Sequence, residues 1–141
     1  MPIELFRSTS LLPLGAEVSA QDFLDAARGA GEYLRDFAVE GERGIFWRQA
    51  PGAEPQIEFY AGSAGIVLFY LQLAAATGES AYLEDAIRGG EFIVSELRRT
   101  GYNYPIASAF AEFEPYRHNE TTFYAGGFAG VAFVLIELAK A

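Results

Sequence analysis

The chain repeats itself, and that repeat limits the architecture more than any single residue does. Phe59-Tyr60-Ala61-Gly62-Ser63-Ala64-Gly65-Ile66 returns as Phe123-Tyr124-Ala125-Gly126-Gly127-Phe128-Ala129-Gly130-Val131, with one residue inserted. From the second glycine onward the copies run in register, with Leu71-Gln72-Leu73-Ala74 against Ile136-Glu137-Leu138-Ala139. Upstream, Phe23-Leu24-Asp25-Ala26-Ala27 aligns without gaps to Tyr82-Leu83-Glu84-Asp85-Ala86. The match continues from Gly31-Glu32-Tyr33-Leu34 to Gly90-Glu91-Phe92-Ile93. Such self-similarity marks two copies of a supersecondary unit of about 60–65 residues, each stacking on its neighbour to bury its apolar face.

Each unit holds two kinds of helix. The first kind is amphipathic. Over about Ala20 to Val39, Phe23, Ala27, Ala30, Leu34 and Phe37 recur at helical spacing. From Ser80 to about Arg99, Leu83, Ile87, Gly90, Val94 and Leu97 do the same, with acids and arginines elsewhere. One face in the core and one in water is expected of both. Ser19 and Ser80 are predicted N-caps, and Thr77-Gly78 is a stop signal. The second kind has no polar face. Ile66-Val67-Leu68-Phe69-Tyr70-Leu71 and Val131-Ala132-Phe133-Val134-Leu135-Ile136 are apolar all round, with Gln72 and Glu137 the first strongly polar interruptions. Such helices must be surrounded by others. The chain therefore alternates outer and inner helices, and the expected fold is all-α: a partial α/α toroid of two outer/inner hairpins. Gly62, Gly65, Gly126 and Gly130 sit where the inner helices begin, and Gly89-Gly90 implies close approach of a neighbouring helix.

The outer-to-inner connections are long and aromatic. Gly44-Ile45-Phe46-Trp47-Arg48 and Gln56-Ile57-Glu58-Phe59-Tyr60 flank Pro51-Gly52, which predicts a short β-hairpin turning at Pro51-Gly52. A single domain over 1–141 is expected, with an extended arm at 1–18, a first repeat at 19–77 and a second at 78–141.

Composition narrows the function. Nineteen acids against ten bases leave a net charge of −9, which opposes sequence-independent binding to nucleic acid and attachment to anionic lipid. The apolar runs fall short of the roughly 18–20 residues needed to span a bilayer, and the N-terminus lacks the pattern of a secretory signal. A cytoplasmic location is therefore expected. There is no cysteine and one histidine, so thiolate chemistry and cysteine-based zinc sites are excluded.

The Phe-Tyr-Ala-Gly repeat ahead of an apolar helix, followed by Thr77-Gly78-Glu79 and Tyr82-Leu83-Glu84-Asp85-Ala86, resembles the lanthionine synthetase C-like family over about Gln21 to Ala141. The resemblance implies an α/α toroid whose inner helices begin at repeated glycine motifs. Its implied activity is zinc-assisted addition of a peptide cysteine thiolate to a dehydrated Ser or Thr. The sequence departs from the family where that chemistry resides. The family's zinc site uses two Cys and one His. Ala61 and Ala125 stand where some family repeats carry a His before the first glycine. The family's catalytic acid, four positions before that glycine, has Glu58 at one copy and Thr122 at the other. A complete toroid at this repeat spacing needs on the order of 350–400 residues, so the chain is expected to form its N-terminal segment. Zinc is expected only in a full-length family member and not in this chain.

The candidate catalytic residues are Glu58 and His118, the latter with Glu112, Glu114 and Glu120 nearby in sequence. A paired or solvated carboxylate and a surface loop histidine are the competing readings. Trp47, Tyr60, Tyr102, Tyr104, Tyr116 and Tyr124 are candidate ligand contacts, because loops gathered at inner-helix starts commonly carry binding sites. Their competing role is to cover the core. Three functions fit: a non-catalytic segment of a lanthionine synthetase C-like protein, a piece of a carbohydrate-active α/α toroid, or an oligomeric interaction module. The expected partners are a second copy or further repeats on exposed inner-helix surface, and a peptide or sugar at the loops.

Overall fold

The structure, a computed structural model, describes residues 17–101 and 128–141. Its elements are α1 (Ala20–Asp36), β1 (Val39–Glu40), β2 (Ile45–Phe46), α2 (Ser63–Thr77), α3 (Ser80–Arg99) and α4 (Phe128–Lys140). The fold is all-α apart from the two-stranded antiparallel sheet, with Val39 opposite Phe46 and Glu40 opposite Ile45.

Local chemistry sets the helix ends. Ser19 caps α1 in a reciprocal box: the Asp22 N–H donates to Ser19 Oγ at 3.2 Å, and the Ser19 N–H donates to Asp22 Oδ2 at 2.8 Å. The Ser19 hydroxyl, which donates to Asp22 Oδ2 at 2.6 Å, and then the Ser19 N–H hold the Asp22 carboxyl below its usual range. Gly78 stops α2 in the left-handed region, its N–H donating to Ala74 O at 2.8 Å. The α3 cap falls on Glu79 rather than Ser80, without a side-chain hydrogen bond.

Tertiary packing moved four sequence expectations. The α1 helix stops at Asp36 rather than near Val39, because Val39 and Glu40 pair with β2. Its inward stripe is Leu24, Ala27, Gly31 and Leu34, whereas Phe23 and Phe37 are 68% and 60% exposed. Ala30 also faces outward. On α3 the buried set is centred on Tyr82, Ala86, Gly89, Phe92, Ile93 and Leu97, and Ile87 is 46% exposed. In both helices the apolar periodicity is real, but the partners packed alongside decide which edge of the stripe turns inward: aromatic on α3, aliphatic and small on α1. The hairpin turn is also displaced. The chain turns at 41–44, where the Gly41 N–H donates to Gly44 O at 2.9 Å, and residues 56–60 form no strand. Gly44 has φ of 75°, and a Cβ there would strike the Arg88 carbonyl oxygen, so the strand pair is seated directly on the α3 backbone.

The α2 helix is the centre of the assembly and touches α1, α3 and α4. Val67, Tyr70, Leu71 and Leu73 are buried along it, as a helix without a polar face requires. Deep in this core the Tyr70 hydroxyl donates to Gly31 O at 2.7 Å. The α4 helix is covered less completely: Val131 and Val134 are buried, while Phe133 and Ile136 are 38% and 55% exposed.

The repeat persists at atomic level. A Cβ on Gly31 would sit 2.8 Å from Leu73 Cδ2, and one on Gly90 would overlap Leu138 Cδ1. Leu73 and Leu138 are equivalent positions of the two inner helices, so each outer helix approaches its inner helix through the same glycine–leucine contact. The two outer helices are tied together by charge. Arg35 Nη2 donates to Asp85 Oδ2 at 2.6 Å and Arg35 Nη1 to Glu32 Oε2 at 3.0 Å, while the Tyr82 hydroxyl donates to Glu32 Oε1 at 3.1 Å.

Candidate functional site

Of the residues singled out in the sequence, the structure describes Glu58, Trp47 and Tyr60, and it gathers them around the start of α2. Two hydrogen bonds join the chain segments there. The Trp47 N–H donates to Ser63 Oγ at 3.3 Å, and Gln49 Nε2 donates to Ala61 O at 3.2 Å. The turn from 58 to 65 is tight because its glycines permit it. A Cβ on Gly62 would sit 2.6 Å from the Glu58 backbone N and O, and one on Gly65 would overlap Phe59 O. The Ser63 N–H donates to Gln56 O at 2.9 Å and closes the loop.

Glu58 is 2% exposed. Its two carboxylate oxygens accept the backbone N–H groups of Tyr60 and Ala61. Burial raises its pKa above the usual carboxylate range, and the two N–H donors oppose that shift without cancelling it. Glu58 is thus a paired carboxylate, the competing reading given for it above, with both oxygens on the backbone of its own turn.

Trp47, expected as a ligand contact, is a core residue. It is 5% exposed, its indole N–H donates to Leu34 O at 2.8 Å, and its ring lies 5.9 Å from that of Tyr70. Trp47 follows β2 directly, and Ile45, Phe46 and Trp47 are all buried, so this stretch covers the core, the competing role given for it above. Tyr60 is the opposite case: at 79% exposure its ring stands free at the mouth of α2, while Phe59 beside it packs on the core. His118, Tyr102, Tyr104, Tyr116 and Tyr124 lie outside the described residues.

Two surface grooves had no counterpart in the sequence reading. One, of about 810 Å³, runs between α3, α4 and the hairpin turn, over Ile87, Val94, Leu135 and Leu138. The other, of about 730 Å³, lies across α3 beside Phe46 and Phe92. Arg43 and Arg98 line both, and neither makes an ion pair among the described residues. The only local signal for this place was the Gly41-Glu42-Arg43-Gly44 segment, which becomes informative once the turn is known to fall there. The grooves carry acids as well as arginines, Glu42 on both and Glu91 and Glu96 on one each, so their charge is mixed.

Among the described residues no group of three or more His, Asp or Glu is placed to hold a metal ion. No described helix is long and apolar enough to cross a membrane. No protein-family model, curated protein or solved structure matches the chain.

Proposed function

We propose that the chain is a two-repeat unit of a lanthionine synthetase C-like α/α toroid, working as a helical packing module rather than a catalyst. The observation that carries this reading is the recurrence of the same close contact, Gly31 on Leu73 and Gly90 on Leu138, at equivalent positions of two outer/inner helix pairs. Repeat units of this kind bury their remaining apolar faces on further repeats. The α4 helix has such a face, with Phe133 and Ile136 partly open to solvent. The engagement of both Glu58 oxygens by backbone N–H groups also supports a structural duty for the residue nearest the family's catalytic acid. The family's zinc ligands include cysteine, which this sequence does not contain.

Light scattering across a concentration series tests the packing role. The expected result is a mass above that of the monomer, reduced by Ile136→Glu; a strict monomer for the wild type refutes it. Elemental analysis after zinc addition tests the second half. Less than a tenth of an equivalent is expected, and stoichiometric zinc with thioether formation on a dehydrated peptide would reverse the assignment.

A second reading has its own support in Tyr60, whose exposed ring at the α2 mouth suits stacking on a sugar or peptide. A glycan and peptide screen comparing wild type with Tyr60→Ala decides it. Trp47→Ala is unsuitable as the control because its effect would come through the core.

A further inference from the structure

We infer that one copy of this chain docks head to tail on another, the α1 face of Phe23, Ala30 and Tyr33 packing on the α4 face of Ala132 and Ile136. The inference rests on the packing role proposed above and names its partner, a second copy.

The chain carries the template for this contact within itself. The α3 helix follows the first repeat, and that repeat covers three of its positions. Tyr82 stacks near Tyr70 with ring centroids 6.1 Å apart, Gly89 lies against Val67 and Trp47, and Phe92 stacks on Phe46 at 4.8 Å. Tyr82 and Phe92 are accordingly 3% and 5% exposed. The gapless alignment carries the same three positions onto Phe23, Ala30 and Tyr33 of α1. No preceding repeat packs there among the described residues, and Phe23 and Tyr33 are 68% and 64% exposed.

The inner helices show the same inversion. On α2, Val67 and Leu71 are 0% and 8% exposed. Their in-register equivalents on α4 are Ala132, which is exposed, and Ile136, 55% exposed. So α1 offers the face that α3 buries, and α4 offers the face that α2 buries. The pair Ala30 and Ala132 is the counterpart of the Gly89–Val67 contact that the chain already makes internally, which is why a second copy fits better than an unrelated partner. Side-chain size agrees. The internal Gly89–Val67 contact becomes Ala30–Ala132 between copies, one small pair exchanged for another of similar summed volume. Because the two faces differ, the contact is heterologous and propagates into a closed ring or an open filament.

Edge variants test this. Phe23→Glu with Tyr33→Glu removes one face, and Ala132→Glu with Ile136→Glu removes the other. These side chains are exposed, so circular dichroism and urea midpoints close to wild type are expected. In light scattering the wild type should assemble, each variant alone should be monomeric, and the two mixed should form a one-to-one dimer that grows no further. An α1-face variant that still assembles overturns the head-to-tail contact and leaves the packing role standing; a monomeric wild type overturns both. Cysteine pairing gives a readout that does not depend on the glutamate variants folding, since the chain has no native cysteine. An oxidised mixture of Ala30→Cys and Ala132→Cys should give a disulfide-linked heterodimer, with neither protein cross-linking alone. Cross-linking of Ala132→Cys by itself would show α4 meeting α4 and refute the proposal.

Discussion

Glu58 and Gly44 illustrate how single residues set this fold. The Glu58 carboxylate supplies partners to the Tyr60 and Ala61 amides in a part-buried turn. Glu58→Ala should cost about 1–2 kcal/mol of stability, the usual loss for hydrogen bonds to a charged group at a part-buried site, measured by urea unfolding. The raised pKa gives this residue a pH signature. A carboxyl whose native pKa lies above its unfolded value contributes stability that is full at low pH and is lost as pH rises through the native pKa. The urea midpoint of the wild type relative to Glu58→Gln should therefore fall as pH is raised from the unfolded carboxyl value of about 4 through the native pKa. A difference that grows over that range would mean the N–H bonds outweigh burial. Gly44 has φ of 75° and no room for a Cβ beside the Arg88 carbonyl. Gly44→Ala should destabilise by more than the roughly 1–3 kcal/mol of left-handed strain alone, because the hairpin must also lift from α3. A thermal midpoint within experimental error of wild type would show that the turn relaxes. The sequence left a paired carboxylate open at Glu58 without naming its partners, and Gly44 was one of fifteen glycines.

At the scale of elements, periodicity located the helices and tertiary partners chose their faces. The core around Tyr70 and Tyr82 draws α3 inward along Tyr82, Ala86, Gly89 and Ile93, leaving Ile87 half outside. Helical spacing alone does not distinguish stripes one residue apart when both are apolar. The hairpin shows the same limit, since Pro51-Gly52 does turn the chain, while the strand pair forms at the turn that α3 supports. Between α1 and α3, Arg35 lies 5.3 Å from the Tyr82 ring centroid and bonds Asp85, whose side chain is only 13% exposed. Asp85→Ala should cost about 1–3 kcal/mol, as expected for charge-assisted bonds at a partly buried site. Arg35→Gln should lose less, and a double-mutant cycle should give less than the sum of the two. Full additivity would mean the pair is not coupled.

For the whole molecule, charge and apolar surface oppose each other. A net charge of −9 repels copies, whereas Phe23, Tyr33 and Ile136 favour their association. Screening weakens the first and leaves the second, so the weight-average mass should rise as salt is raised from about 50 mM to about 500 mM. A mass that falls with salt would show that ion pairs across the contact dominate instead.

The sequence alone determined that the chain is helical, that it is built twice over from one outer/inner unit, and where Ser19 and Gly78 begin and end helices. Those features rest on local spacing, capping and self-similarity, which are complete within a few turns of chain. Only the tertiary structure decided that Trp47 belongs to the core, that Glu58 binds its own backbone, and that Phe23 and Tyr33 of α1 stand exposed. Each depends on which distant residues arrive alongside, and a helix pattern records that something must cover an apolar face without recording what does.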